Sequence, residues 1–177
     1  MPDYRTCERP PVIKVALANE QTRLPIDRRR LRRAARIVLQ NENIHKAEIS
    51  LAVVDESSIR RLNRQYLHHD QPTDVLSFLL DRSAGEFVGE VIVSADAALG
   101  SASQYGWPPA AELLLYVVHG LLHLVGYEDL TRAGRVRMRR REARYMVQLG
   151  ALARATRPPP TKARKSVVPC PPRKRQP

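Results

Sequence analysis

The chain is short of sulfur, aromatic rings and acidic charge, and each shortage closes off a class of function. Only Cys7 and Cys170 occur among 177 residues, so the sequence offers neither a disulfide framework nor a cysteine-based zinc spacing. The reducing cytoplasm is the expected compartment. The most apolar stretch, Leu113 to Val125, is too short to span a bilayer and holds two histidines, and no apolar run near the N-terminus resembles a leader. No membrane association is expected. Glycine-rich phosphate loops, a Ser/His/Asp signature and internal repeats are also missing. Aromatics make up 5% of the residues, and those best able to stack on bases, Trp107 and Tyr127 among them, are expected in the core.

Acidic residues number 18 against 30 lysines and arginines, a net charge of +12. Two thirds of that excess lies from Arg154 onward, where basic residues and prolines alternate with no acid. Proline blocks helix and sheet there, and too few apolar groups are present to offset the entropy of ordering, so 151–177 is expected to be a disordered basic tail. A polyanion such as nucleic acid is the matching partner.

Against these shortages stands the run His119-Gly120-Leu121-Leu122-His123-Leu124-Val125-Gly126-Tyr127-Glu128-Asp129. With a helix over Ala110 to Val125, His119 and His123 fall at i and i+4 on one face and can aim at a common point. Gly126 is placed to end the helix in a left-handed conformation and to bring Glu128 or Asp129 back beside the rings. Two imidazoles and a carboxylate leave an ion with an open coordination position, the pattern of catalytic rather than structural sites. Such an ion lowers the pKa of bound water to roughly 7. The position after the first histidine, which holds the general base in HExxH proteases, is Gly120, so peptide hydrolysis by that route is disfavoured. Close packing of the helix on a neighbour is the expected use of Gly120.

Hydrophobic patterning predicts an irregular 1–11, one domain over 12–150, and the order βαβαββααα. Strands are expected over Val12 to Ala18, Ala47 to Val54, Asp74 to Leu80 and Phe87 to Val93. Helices are expected after the caps Asp27, Asp55, Ser94 and Thr131, in addition to the histidine helix. Leu31, Ala34, Ala35, Val38 and Leu39 should face inward on the first helix, Ile59, Leu62 and Tyr66 on the second, and Val136, Ala143 and Met146 on the last. A β-α-β crossover followed by a hairpin implies a mixed four-stranded sheet covered by about five helices, an α+β fold.

The segment Leu62-Asn63-Arg64-Gln65-Tyr66, the run Asp70-Gln71-Pro72-Thr73-Asp74-Val75-Leu76-Ser77-Phe78, the strand Gly89-Glu90-Val91-Ile92-Val93-Ser94 and the histidine helix occur in this order. Together they resemble the YbeY family of bacterial rRNA maturation factors, over residues 12 to 149. The resemblance implies a metal-dependent, single-strand-specific endoribonuclease that matures the 3′ end of small-subunit ribosomal RNA. Its partners would be ribosomal RNA and components of the small ribosomal subunit. It also implies one zinc ion, with His119 and His123 as ligands acting catalytically through metal-bound water. The family's motif ends in GYDH, the last histidine being the third ligand; here Glu128 and Asp129 stand at those positions. Asp129 is therefore the expected third ligand, with Glu128 the alternative. A carboxylate there lowers the site's formal charge and admits Fe2+ or Mn2+ beside Zn2+. Leu67 stands where the family commonly has an arginine after the tyrosine, and Arg64 or Arg61 are the candidates to contact phosphate in its place. Thr73 and Asp74, at the mouth of the third strand, are candidates for orienting the site. The competing readings are a non-catalytic RNA-binding ribosome-assembly factor with a structural metal, and a hydrolase of small phosphoesters or amides.

Overall fold

The structure is a computed structural model that describes residues 11–83 and 85–151. The expectations for the rest of the segment 1–11 and for the basic tail beyond Ala151 lie outside the described residues. Alternating apolar residues make β1 (Val12–Asn19) and β2 (Lys46–Val54), which pair in parallel from Val12 opposite Lys46 to Asn19 opposite Val53. The crossover between them is α1 (Arg28–Asn41), started by the Asp27 carboxylate, which accepts the Arg30 N–H at 2.9 Å. All five residues expected on its inner face are buried. The Asp55 side chain caps α2 (Glu56–Leu67), and a hairpin of β3 (Val75–Asp81) and β4 (Val88–Ser94) follows. Next come α3 (Ala95–Tyr105), α4 (Pro109–Leu124) and α5 (Arg132–Gln148); the Ser94 and Thr131 side chains cap α3 and α5, and Pro108 precedes α4 without a side-chain capping bond.

The sheet order is β1-β2-β4-β3, with β2 and β4 parallel and β3 antiparallel to β4. A parallel crossover and an antiparallel hairpin thus meet at β4, whose Val91, Ile92 and Val93 are buried. Side chains alternate along each strand, so the two faces take different partners. Val53, Val75, Val91 and Val93 join the main core with α1, α4 and α5. Val54, Leu76, Phe78 and Ile92 form a smaller cluster with Ile59, Leu62 and Leu67 from α2.

Helix α4 touches α1, α3, α5, β3 and β4, and each of its residues from Ala111 to Leu124 is buried. Burying a leucine such as Leu114 or Leu121 in this way contributes about 1.5–3 kcal/mol relative to exposure. Gly120 faces the sheet at a separation no side chain tolerates: a Cβ there would lie 2.6 Å from Val91 Cγ1 and 2.8 Å from Ser77 Oγ. The glycine sets how closely the histidine helix sits on β3 and β4. No helix of the described residues is long and apolar enough to cross a membrane.

Two inward-facing expectations are corrected. Tyr66 is 47% exposed, its ring tilted on Phe78 with centroids 5.3 Å apart, and the buried position one turn after Ile59 belongs to Asn63. The Asn63 amide donates to the Gln71 carbonyl at 2.7 Å and thereby holds the loop after α2, so a polar side chain occupies an apolar stripe. On α5, Val136 is 45% exposed and Ala143 half-buried; Met138, Glu142, Tyr145 and Met146 are the residues turned inward. The inner stripe of α5 thus combines the apolar Met138, Tyr145 and Met146 with Glu142, which meets His119 inside.

Candidate metal centre

His119 and His123 lie one turn apart on α4, with their Nε2 atoms 3.0 Å from each other and their rings edge to face. Each ring is oriented through its other nitrogen. His119 Nδ1 lies 2.6 Å from the Glu142 carboxylate, and His123 Nδ1 lies 2.8 Å from the Tyr127 carbonyl. Since both of those partners are acceptors, the hydrogen-bond pattern assigns a proton to each Nδ1 and leaves the Nε2 lone pairs as donors toward one point. Two such lone pairs at 3.0 Å repel unless a proton or a cation lies between them.

Past α4 the backbone turns at Gly126, whose φ of 103° suits glycine alone, and the loop brings Asp129 back to the rings. Asp129 is 6% exposed, and its Oδ1 is buried without a hydrogen-bond partner, 3.9 Å from His123 Nε2. One ligand atom from each of His119, His123 and Asp129 lies within 4.8 Å of the others, the group among the described residues that could hold a metal ion. An orphaned carboxylate oxygen beside two converging lone pairs fits a divalent cation, which would satisfy all three donors at once. Glu128, the alternative third ligand, is exposed and outside this group.

The loop that presents Asp129 is held from two sides. Arg135 donates to the Asp129 and Leu130 carbonyls at 3.1 and 2.8 Å. Glu42, just past α1, accepts the Tyr127 hydroxyl at 3.1 Å and the Tyr145 hydroxyl at 2.7 Å, with the Arg141 guanidinium over the Tyr127 ring. Burial, then Glu42, pushes the Tyr145 phenol far above its ordinary pKa, and the same causes raise Tyr127, so both remain donors. One carboxylate thus ties together the residue whose carbonyl orients His123 and the helix whose Glu142 orients His119.

The other sequence candidates are not part of this group. Arg61 and Arg64 are on α2, which packs the opposite face of the sheet from α4; Arg61 donates to Ser58 Oγ at 3.2 Å. Both line an open depression with Arg23, Arg60, Asp70 and Asp96, where Arg60 pairs with Asp70 at 2.8 Å and Arg23 with Asp96. Leu67 packs against the apolar cluster beneath α2. Thr73 Oγ1 lies 3.3 Å from an Asp74 oxygen, and the Asp74 carbonyl accepts the Ser94 N–H at 2.9 Å, fastening the start of β3 to the end of β4. Sequence reasoning missed Glu142, although its signal was there: it is the sole acid on α5, among seven arginines.

Fold and site together define a small α+β protein with a candidate two-histidine, one-carboxylate metal centre built on a buried helix. Residues 16–150 match the family described as Endoribonuclease YbeY, and the chain belongs to that family. Proteins named Endoribonuclease YbeY from Geobacter metallireducens and Salinibacter ruber are each 40% identical to it. The first similarity covers 75% of this chain and 91% of the relative, the second 68% and 82%. The solution structure of TM1509 from Thermotoga maritima shares the fold, with a TM-score of 0.55 and 23% identity over 84% of this chain and 99% of the other.

Proposed function

We propose that this protein is a metal-dependent endoribonuclease that cuts single-stranded segments of ribosomal RNA, at the 3′ end of the small-subunit RNA, in the cytoplasm. The observation that carries the reading is the convergence of three donors, two with the opposite ring nitrogen engaged and one orphaned, in a chain of this family. His119, His123 and Asp129 would hold the ion, zinc being the first candidate and Fe2+ or Mn2+ admitted by the carboxylate. When bound, the ion supplies Lewis acidity toward a phosphate oxygen and a water made nucleophilic near neutral pH.

The chain's own groups prepare that chemistry. Glu142 fixes the His119 ring, and the Tyr127 carbonyl fixes the His123 ring. As a ligand, Asp129 would bring a formal charge that a third imidazole does not, and would moderate the ion's pull on water relative to three histidines. Ribosomal RNA and small-subunit components are the proposed partners. Domain 12–150 is the proposed catalytic unit, with 151–177 as a basic arm for polyanions.

Elemental analysis of the purified protein beside His123→Ala, Asp129→Ala and Asp129→His, with cleavage of a structured ribosomal RNA fragment on the same samples, tests the reading. Near-stoichiometric metal and cleavage in the wild type, both lost in the alanine variants, is the expected result. Asp129→His should keep or tighten zinc. Equal metal in wild type and Asp129→Ala would remove Asp129 from the ligand set, and metal without cleavage would favour the assembly-factor reading.

A further inference from the structure

We infer that the outer face of α1 is a docking surface for the RNA phosphate backbone, separate from the metal centre. It engages the substrate several nucleotides from the cut. The inference rests on the reading of the substrate as RNA and adds where that RNA lies.

Arg29, Arg32, Arg33 and Arg36 stand at i, i+3, i+4 and i+7, so their guanidiniums form one stripe over roughly 10 Å of helix. They line an open concavity with Arg30, Asp27 and Leu149. Its one carboxylate, Asp27, caps α1 through the Arg30 N–H. Among the described residues Arg29, Arg32 and Arg33 enter no ion pair, and Arg36 donates to the Ile13 carbonyl at 3.4 Å.

This arrangement works against the helix that bears it. Like charges at i, i+3 and i+4 repel, and α1 has arginines but no acid in its first turn, where the helix dipole favours anions. Within the described fold the Asp27 cap and the Leu149 and Ile13 carbonyls, which accept from Arg30 and Arg36, offset part of that cost, and an external polyanion would offset the rest. Arginine is the side chain suited to it, because the guanidinium fork grips phosphate oxygens in a bidentate way. A lipid surface fits less well, since the apolar residues of α1 are buried or, for Ile37, half-buried and packed against the core, so none projects from the arginine face into a membrane. Position is fixed too. At Glu42, just past the end of α1, the chain grips Tyr127 of the metal loop, and the stripe lies about 9 to 20 Å back along the axis.

The test uses the full chain carrying Arg29→Gln, Arg32→Gln, Arg33→Gln and Arg36→Gln together, beside the corresponding four-lysine variant. Affinity for a blunt RNA duplex, which a single-strand nuclease leaves intact, is measured from 50 to 200 mM salt. Losing four phosphate contacts should flatten the slope of log K against log salt by about 3.6, with at least a tenfold loss of affinity at the low-salt end. The lysine variant should keep the slope. The glutamine variant should melt no lower than wild type, because repulsion is relieved; if it fails to fold, Arg32→Gln with Arg33→Gln should give half the slope change. Unchanged slope and affinity would overturn the inference, as would loss of binding to anionic lipid vesicles with RNA binding intact. Cleavage of single-stranded RNA by the same samples separates the two readings: an arginine-dependent slope without cleavage leaves this surface standing and sinks the nuclease, and cleavage with an unchanged slope does the reverse.

Discussion

Replacing Glu142 with glutamine removes one charge and almost no volume from the wall behind His119. The buried carboxylate lies 2.6 Å from His119 Nδ1, and glutamine can still accept that hydrogen bond through its amide oxygen. What is lost is the negative charge that makes the ring a stronger ligand, and losing such an outer partner costs about 10- to 100-fold in metal affinity. With free metal buffered at 100 times the wild-type Kd, the ion stabilises the wild type by about 2.7 kcal/mol. A tenfold weaker variant retains about 1.4 kcal/mol and a hundredfold weaker one about 0.4 kcal/mol. For a domain of this size each kcal/mol moves Tm by about 2–4 °C, so a wild-type shift of roughly 5–11 °C should shrink to between about 1 and 6 °C. Calorimetry with and without buffered zinc reads this directly. If both proteins show the same metal-induced shift, Glu142 does not act on the ligand, even if the variant's metal-free Tm has fallen.

Gly120→Ala sets a helix-propensity gain of about 1 kcal/mol against overpacking of about 1–3 kcal/mol. The β-branched side chains Val91 and Val75 beneath it have little freedom to give way, so urea unfolding should show a net loss of up to about 2 kcal/mol; a more stable variant would refute the close-packing argument. Glu90, half-buried on β4, has its carboxyl pushed above the usual range by desolvation. Its folded state therefore binds the proton more tightly than the unfolded chain, and that contribution is present at acid pH and lost as pH rises through the raised value. Glu90→Gln should accordingly be more stable than wild type at neutral pH, with the difference vanishing below the ordinary carboxylate range. A pH-independent difference in unfolding free energy would contradict the assignment.

Elements were readable where one period dominated. The five inward residues of α1 and the caps Asp27, Asp55, Ser94 and Thr131 could be placed from spacing and side-chain chemistry, because burial and N-terminal hydrogen bonds act locally. His119 and His123 were legible for the same reason, being neighbours on one helix. Asp129 needed the turn at Gly126 and the family's motif together. Glu142 stands out as the sole acid of α5, but it lies 23 positions from the ring it contacts, so the sequence does not announce its partner. Asn63 was obscured by the opposite effect: its burial depends on a loop carbonyl, and a hydrophobicity pattern prefers Tyr66.

The three donors all come from the continuous stretch 119–129, and this bears on how the centre assembles. Closing so short a loop costs little entropy, although Arg135 of α5 and Glu42 beyond α1 hold it in its final place. The residues that would hold the ion thus all precede α5 in the chain. What α5 adds is orientation: it sets Glu142 behind His119 and Tyr145 against Glu42. A donor set that is local in the chain is thus oriented by the last helix.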